Sequence, residues 1–279
     1  THQTSKYFPF DDRIPVVLTV HDLNFLHTID SRNQRGRIRR HLAHVQKLVN
    51  RATIIVTDSK FVAEDLAQHI DTASKPIHVV PLGLNPMNTV MNARPPWAPK
   101  SPFLFSLGNF LQHKNFHTLV AMMRHLPNYK LVIAGKKETP YGEKVVRERE
   151  ELGLTDQIFL PGVISDSDRH WLYENCDAFV FPSLTEGFGF PVLEAMQFGK
   201  PVATSNRTSL PEIAGNRGFY FTSYEANHMA RTVQDAIRNF HENPNAAKQS
   251  REHANTFSWQ ATAQGYARIY QTVLDDLDN

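Results

Sequence analysis

The chain has 279 residues, enough for two compact domains of ordinary size, and 41% of them are apolar, as in soluble globular proteins. Lys and Arg number 30 against 28 for Asp and Glu, a balance that excludes the strongly basic surface of a general nucleic-acid binder. Cys176 is the only cysteine, which excludes an internal disulfide framework and a cysteine zinc site, and which indicates a cytoplasmic setting. No apolar run reaches the roughly 18 residues that suggest a membrane span, and residues 1–12 lack the apolar core of a signal peptide.

Short β-branched runs alternate with helical patterns along nearly the whole chain. This alternation predicts an α/β protein whose parallel strands are covered by helices on both faces. The predicted strands are Val16–Val20, Thr53–Val56, Ile77–Val80, Phe103–Ser106, Lys130–Ala134, Ile158–Leu160, Ala178–Phe181, Val202–Thr204 and Phe219–Phe221. The predicted helices include Gly36–Asn50, Phe61–His69, Phe116–Leu126, Gly142–Leu152, Asp166–Glu174, Pro191–Phe198 and Ala226–Asn239. A last amphipathic helix is predicted over Gln260–Asp276, with one apolar stripe formed by Ala263, Tyr266, Ile269, Tyr270 and Val273.

A proline-rich stretch without periodicity divides this pattern into two unequal parts. We expect residues 1–92 to form a first Rossmann-like domain, residues 93–102 a linker, and residues 103–256 a second domain. Three predicted strands precede the linker, and a three-stranded sheet is a poor independent unit. The first domain is therefore expected to be incomplete by about 80–120 residues, and its strand near residues 16–20 is expected to have an open edge.

The most informative segment follows the predicted strand that ends at Phe181. Backbone N–H groups at the start of the next helix favour an anion such as a diphosphate, and ligands of parallel sheets bind at the carboxyl ends of strands. Gly187 and Gly189 allow the backbone to approach such a ligand closely. Glu186 and Glu194 place a hydrogen-bond acceptor for hydroxyl groups on each side of it. These features predict a site for a phosphorylated sugar or nucleotide.

Two other interpretations of this segment are open. A dinucleotide-binding dehydrogenase would need a third glycine, where this chain has Val192. A tight turn with two surface glutamates would need no ligand at all.

The sequence as a whole resembles glycosyltransferase family 4, the group 1 glycosyltransferases. The resemblance is carried by the pattern Pro-Ser-x-x-Glu-Gly-Phe-Gly-x-Pro-x-Leu-Glu-Ala-Met from Pro182, together with residues 108, 114–115, 133–135, 159–162, 199–202, 211–213 and 257–259. It implies the GT-B fold, in which two Rossmann-like doubly wound domains face each other across a cleft. It also implies that the first domain binds the acceptor and that residues 257–279 form a helix that crosses back to this domain.

The resemblance assigns roles in binding the donor and in catalysis. Glu186 is similar to the glutamate that contacts the donor sugar beside its anomeric centre, and Glu194 to the one that binds the ribose. Gly162 and Val163 resemble the backbone segment that brackets the nucleobase.

The phosphate-binding residues depart from the family at one position. Lys114 resembles the lysine that neutralises the diphosphate, but Asn109 follows Gly108 where many members have arginine. We expect Lys114, the turn amides of Phe188 and Gly189, and the helix dipole to take a larger share of phosphate binding. A solvated lysine at a helix start is the alternative interpretation of Lys114.

His21 follows the first predicted strand, and the family has a histidine at a similar place near the acceptor and the reacting sugar. Its interpretation as a catalytic residue competes with that of a structural hydrogen-bonding histidine. Residues Thr57-Asp58-Ser59 end the next strand, and Ser59 is expected to cap the helix that follows.

A run of basic residues without intervening acids extends from Arg32 to Arg51. The run is typical of a solvated helix face. Because apolar residues are interleaved with it, it also fits peripheral contact with the inner face of an anionic membrane.

The resemblance, together with the donor motif, implies a retaining transfer of a sugar from a UDP- or GDP-sugar to a hydroxyl acceptor in polysaccharide, lipopolysaccharide or glycolipid synthesis. The resemblance also implies that neither a metal nor a further cofactor is needed. The sequence agrees with this, because the Asp-x-Asp spacing at Asp166 and Asp168 is interpreted as helix capping. The alternatives are a nucleotide-sugar epimerase of the same architecture and a non-catalytic nucleotide-sugar-binding subunit.

Overall fold

The computed structural model describes residues 13–27, 35–85 and 93–277, and all strands in these ranges are parallel. Each predicted strand is present, with small shifts at its ends. The strands are β1 Val17–Val20, β2 Ile54–Thr57, β3 Ile77–Val79, β4 Phe103–Leu107, β5 Lys130–Ala134, β6 Ile158–Gly162, β7 Ala178–Phe181, β8 Val202–Ser205 and β9 Gly218–Phe221. The helices are α1 Arg35–Arg51, α2 Lys60–His69, α3 Phe116–Met123, α4 Pro140–Glu151, α5 Asp166–Asn175, α6 Phe190–Gln197, α7 Leu210–Ala214, α8 Ala226–Glu242, α9 Ala246–Asn255 and α10 Trp259–Leu277.

The described residues fall into two compact units. The first contains the residues up to Asn85, the tetrapeptide Thr185–Phe188, and the residues from Phe257 onward. The second contains residues 93–184 and Gly189–Thr256.

The first unit contains a three-stranded sheet in the order β1-β2-β3. Successive residues of β2 point to opposite faces of this sheet. Ile55 packs in a cluster with residues of α1 and α2, whereas Ile54 and Val56 pack with residues of α10. Helices therefore cover both faces, and among the described residues β1 pairs with β2 alone.

The buried face of α10 differs from the predicted stripe. Ile269 and Val273 are buried against the first sheet, as their spacing indicates, but Ala263 and Tyr270 are exposed. Gly265 takes the position of a core residue instead, because a Cβ atom built there would lie 2.8 Å from a methyl carbon of the Val80 side chain. The helix thus approaches the sheet through a small residue that a search for apolar stripes does not register.

The second unit contains a six-stranded sheet in the order β6-β5-β4-β7-β8-β9. The chain moves outward from β4 to β6, returns to the centre at β7, and then moves outward on the other side. The strand order therefore reverses between β4 and β7. In doubly wound sheets, ligands bind at the carboxyl ends of the strands beside this reversal.

Two helices of the second unit were not among the predicted ones. The short helix α7 has Pro211 in its first turn. Helix α9 buries only Ala246, Ser250 and Ala254. Small side chains of this kind produce little apolar periodicity, so the sequence pattern did not indicate α9.

Candidate functional site

Lys114 lies at the strand-order reversal of the second unit. Its side-chain carbons are about 3.5 Å from the position of a Cβ atom built on Gly108, just after β4. Its Nζ lies 5.2 Å from the ring centroid of Phe181, the last residue of β7. The preceding carbonyl, that of His113, accepts a hydrogen bond of 2.7 Å from the amide of Leu184. The predicted phosphate-binding cation is thus fixed between the ends of the two central strands.

Glycines bring three neighbouring strands close together at the same edge. The amide of Gly135 donates to the carbonyl of Gly162 over 2.8 Å. Gly135 has a φ of +137°, and a Cβ atom built on it would lie only 2.1 Å from the carbonyl oxygen of Gly108. No other residue fits there without moving the backbone, so the predicted donor residues Gly108 and Gly162 share one tightly packed surface.

Asn109 and Val163 lie at the same edge and are exposed. The Asn109 side-chain oxygen accepts a hydrogen bond of 3.3 Å from the amide of Lys136, so this side chain braces the neighbouring loop. Val163 follows β6 and is 76% exposed. An apolar side chain this open at the carboxyl edge is available to the flat face of a ligand.

Glu194 lies within α6 and is held by two residues of α5. Tyr173 donates a hydrogen bond of 2.8 Å to Oε2 of Glu194, and Nη1 of Arg169 lies 4.0 Å from Oε1. Burial raises the pKa of Glu194 above 4.5, and the hydrogen bond from Tyr173 and the charge of Arg169 oppose that shift. Sequence reasoning missed both partners, although their spacing of four residues places them on one helix face.

Helix α6 begins at Phe190 without a side-chain cap, and Gly189, with a φ of +126°, occupies the N-cap position. Pro191 lies in the first turn, as predicted. The positive end of the helix dipole is therefore not offset by a capping side chain, which suits an anionic ligand.

In the first unit, His21 and Asp58 meet at the carboxyl ends of β1 and β2. His21 Nδ1 lies 2.6 Å from Oδ2 of Asp58, whose side chain is 3% exposed. The hydrogen bond to Asp58 raises the pKa of His21 above 6.5, with the charges of Asp58 and Asp22 adding to the shift and burial opposing it. The imidazole therefore stays protonated to higher pH than an ordinary histidine. The contact with Asp58 also fixes its orientation.

The tetrapeptide that carries Glu186 belongs to this same unit. Gly187 accepts a hydrogen bond of 2.8 Å from the hydroxyl of Ser59, the residue that also caps α2 as predicted. A Cβ atom on Gly187 would lie 2.4 Å from the carbonyl oxygen of His21. Glu186, Gly187 and His21 are thus brought together, and Phe188 contacts the ring of Phe257 at a centroid distance of 5.9 Å.

Helix α1 carries most of the basic run, whereas Arg32 lies outside the described residues. Its apolar residues Val45, Leu48 and Val49 are buried in the first unit, and its exposed side chains are largely basic. Within the described ranges, none of the helices combines the length and the apolar character that crossing a bilayer requires.

Asp166 and Asp168 do not themselves cap α5. The cap is Ser165, whose hydroxyl accepts a hydrogen bond of 3.1 Å from the amide of Asp168, and the two aspartates lie in the first turn. Across the described part of the chain, no group of three or more His, Cys, Asp or Glu side chains is placed to hold a metal ion.

Comparison with known families is consistent with this geometry. The model for "Glycosyl transferases group 1" matches residues 89–254, more than half of the chain, and that for "Glycosyltransferase Family 4" matches residues 6–87. The chain belongs to the group 1 glycosyl transferases.

Several relatives are bacterial mannosyltransferases. The chain is 33% identical over 180 residues to the serotype-specific mannosyltransferase WbdA of Escherichia coli, covering 61% of this chain and 22% of WbdA. It is 24% identical over 266 residues to the O-antigen chain mannosyltransferase B of Escherichia coli, covering 88% of this chain and 67% of that enzyme. The chain thus spans about a fifth of the length of WbdA.

Solved structures share the fold. A sucrose-phosphate synthase from Thermosynechococcus elongatus superposes with a TM-score of 0.78 at 22% identity, covering 93% of this chain and 68% of that one. HepE of Anabaena, solved with UDP and glucose, gives a TM-score of 0.73 at 19% identity, and the match covers 94% of this chain and 72% of HepE. The predicted α/β, GT-B fold class is confirmed.

Proposed function

We propose that this chain transfers a sugar from a nucleoside diphosphate sugar to a hydroxyl group of a growing polysaccharide or lipopolysaccharide, with retention of the anomeric configuration. Membership of the group 1 glycosyl transferases supports a glycosyl transfer, and the relatives named as O-antigen mannosyltransferases support the class of acceptor. In this proposal the reaction needs no metal and no cofactor.

The observation that carries the proposal is the cation at the strand-order reversal. Lys114 lies between the ends of β4 and β7, and α6 opens after β7 without a side-chain cap. A lysine ammonium and a helix N-terminus both favour a diphosphate, and both stabilise the charge that builds up when it leaves. In this proposal they supply the positive charge that a metal supplies elsewhere.

The other site residues have matching roles in the proposal. Glu194 binds the ribose hydroxyls, and Gly162 with Val163 brackets the base. Glu186 accepts hydrogen bonds from the donor sugar, and His21 lies near the reacting sugar, oriented by Asp58.

In the reaction proposed, an acceptor oxygen attacks the anomeric carbon from the face that the diphosphate leaves. The bond between the anomeric carbon and the phosphate oxygen breaks, and its electron pair stays with the diphosphate. The acceptor proton passes to a diphosphate oxygen.

The proposed division of the chain into domains is 1–92, 93–102, 103–256 and 257–279.

Thermal unfolding with a panel of UDP-, GDP- and ADP-sugars tests donor binding, because a ligand of the folded state stabilises it by mass action. We expect one nucleotide class to raise the midpoint in the parent and not in Lys114→Ala. Lys248→Ala is the matched control, since Lys248 lies on α9 with its side chain 72% exposed.

The thermal shift of Lys114→Ala and product assays with the same donors together separate the alternatives. Equal stabilisation of Lys114→Ala and the parent would contradict the phosphate-binding role. Release of an epimerised sugar nucleotide without an acceptor would identify an epimerase. Donor binding without transfer or hydrolysis would identify a non-catalytic subunit.

We also propose that α1 contacts an anionic membrane surface through electrostatic attraction. The support is a helix whose exposed side chains are largely basic, with Arg35, Arg37, Arg39, Arg40 and Lys47 all open to solvent. Each basic residue near such a surface is worth about 1 kcal/mol. The fraction of protein that sediments with phosphatidylglycerol vesicles should fall steeply when salt is added. It should also be lower in the double variant Arg37→Gln/Arg40→Gln. Equally strong binding to neutral vesicles and to anionic vesicles would contradict the proposal.

A further inference from the structure

Lys137 lies in the loop between β5 and α4, at the same edge of the larger sheet as the donor residues. Its side chain is partly buried and crosses from this loop to β6, where Nζ donates a hydrogen bond of 2.7 Å to the carbonyl of Leu160. Its Cε lies 3.9 Å from the position of a Cβ atom built on Gly162. The ammonium group is thus held beside the backbone segment on which the nucleobase lies in the proposed function.

The contacts of Lys137 leave most of its hydrogen-bonding capacity for a ligand. An ammonium group has three N–H donors, and within the described ranges only the neutral carbonyl of Leu160 accepts one of them. No carboxylate of the described residues forms an ion pair with it. A ligand can also reach this cation, because Lys137 lines an open recess of about 540 Å³ at the start of α4.

The position of Lys137 favours a contact with the base over one with the diphosphate. The diphosphate is proposed to lie at Lys114 and the start of α6, which follow the two central strands, β4 and β7. Lys137 reaches β6 instead, and β5 lies between β6 and β4. Two strand spacings separate β6 from β4 by about 10 Å. The ammonium therefore lies at the outer end of the donor site, away from the phosphates.

The edges of the nucleobases determine what a cation at this end selects. Uracil and guanine carry a carbonyl oxygen where cytosine and adenine carry an amino group. A lysine ammonium donates hydrogen bonds and accepts none, so it binds the carbonyl oxygen and offers nothing to the amino group. A site that hydrogen-bonds one group of a substrate rejects an analogue that lacks this group.

We propose that Lys137 is a specificity-determining residue of the donor site, which selects a nucleobase with a carbonyl oxygen at this edge. UDP and GDP are then accepted, and CDP and ADP are rejected. The inference rests on the proposed function for the place of the base, and on the contacts of Lys137 for the group that recognises it.

Titration calorimetry of the full chain with GDP, ADP, UDP and CDP tests the proposal. We expect the parent to bind GDP more tightly than ADP, or UDP more tightly than CDP, by about tenfold or more. Lys137→Met keeps the length and the apolar stem of the side chain but removes its donors, and it should lose most of this preference. Lys136→Met is the matched control, because the neighbouring Lys136 is exposed and should leave the preference unchanged.

The remaining outcomes decide against the proposal. Equal affinity of the parent for the two members of each pair would overturn it without any variant. A Lys137→Met variant that binds every nucleotide more weakly by the same factor would also overturn it, because a lost charge near the phosphates or a damaged fold has this effect. A preference that survives in Lys137→Met would refute the role of Lys137 alone. A parent that binds none of these nucleotides would contradict the proposed function itself.

Discussion

Replacing Tyr173 with phenylalanine removes the hydroxyl that holds Glu194 and leaves the buried ring in place. The hydroxyl donates 2.8 Å to Oε2 of a carboxylate that is 15% exposed. A hydrogen bond to a charged group contributes about 1.5–3 kcal/mol, against about 0.5–1.5 kcal/mol for a neutral one. We expect Tyr173→Phe to lower the free energy of unfolding of the second unit by an amount in the first range at pH 8.

The loss should depend on pH, with a sign set by Glu194. Its folded-state pKa already lies above 4.5, and losing the tyrosine bond raises this pKa further. A raised carboxyl pKa destabilises the folded state above that pKa, and this penalty disappears as the pH falls toward the unfolded value. The difference between Tyr173→Phe and the parent should therefore shrink between pH 8 and pH 5.

Urea unfolding in a Trp259→Phe background measures this effect, because the remaining tryptophans, Trp97 and Trp171, both belong to the second unit. Tyr220→Phe is the matched control, since the Tyr220 hydroxyl donates to the neutral carbonyl of Gly215. Its cost should be about 0.5–1.5 kcal/mol and independent of pH. A Tyr173→Phe cost that is equally small and flat with pH would refute the view that Glu194 is ionised and held by Tyr173.

Two further perturbations test the pairing of His21 with Asp58 in the first unit and the close contact of Gly135 with Gly108 in the second. Asp58→Asn should lower the pKa of His21, measured by NMR titration, because a neutral amide holds the imidazolium less strongly than the carboxylate does against the opposing effect of burial. The stability that His21 contributes is complete below pH 6.5 and is lost as the pH rises through its folded-state pKa. Asp65→Asn, which removes the partner of His27, is the control, and a His21 pKa that stays unchanged in Asp58→Asn would contradict the pairing. Gly135→Ala should destabilise the second unit by about 2 kcal/mol or more, because the added methyl meets the Gly108 carbonyl at a strained φ. Gly153→Ala, with a φ of +67° and open space around its Cβ position, should cost only about 1–2 kcal/mol, and equal costs would show that the Gly108 contact is unimportant.

The parallel strands could be predicted because buried β-branched runs are distinctive. The end of β6 could not be predicted, because Pro161 suggests that the strand stops at Leu160. The strand continues to Gly162 because β6 is the edge strand, where a missing N–H leaves no ladder bond unmade. Local sequence pattern does not tell an edge strand from a central one.

Part of the proposed donor edge could also be located from the sequence, because Gly108 directly follows β4 and the turn before α6 follows β7. The pairing of His21 with Asp58 could not, since it joins residues 37 positions apart through the register of β1 and β2. Tyr173 and Arg169 were missed because nothing in α5 indicates that it faces Glu194. Such contacts follow from packing between elements, which one sequence does not encode locally.

The most direct test of the account is the anomeric configuration of the product. The full chain is incubated with each UDP- and GDP-linked hexose and a mannose-terminated acceptor, and the new linkage is assigned from its anomeric proton and carbon signals by NMR. The account predicts that the product keeps the configuration of the donor, and that Glu186→Gln binds the nucleotide but forms little product. A product with inverted configuration, or normal turnover by Glu186→Gln, would contradict it.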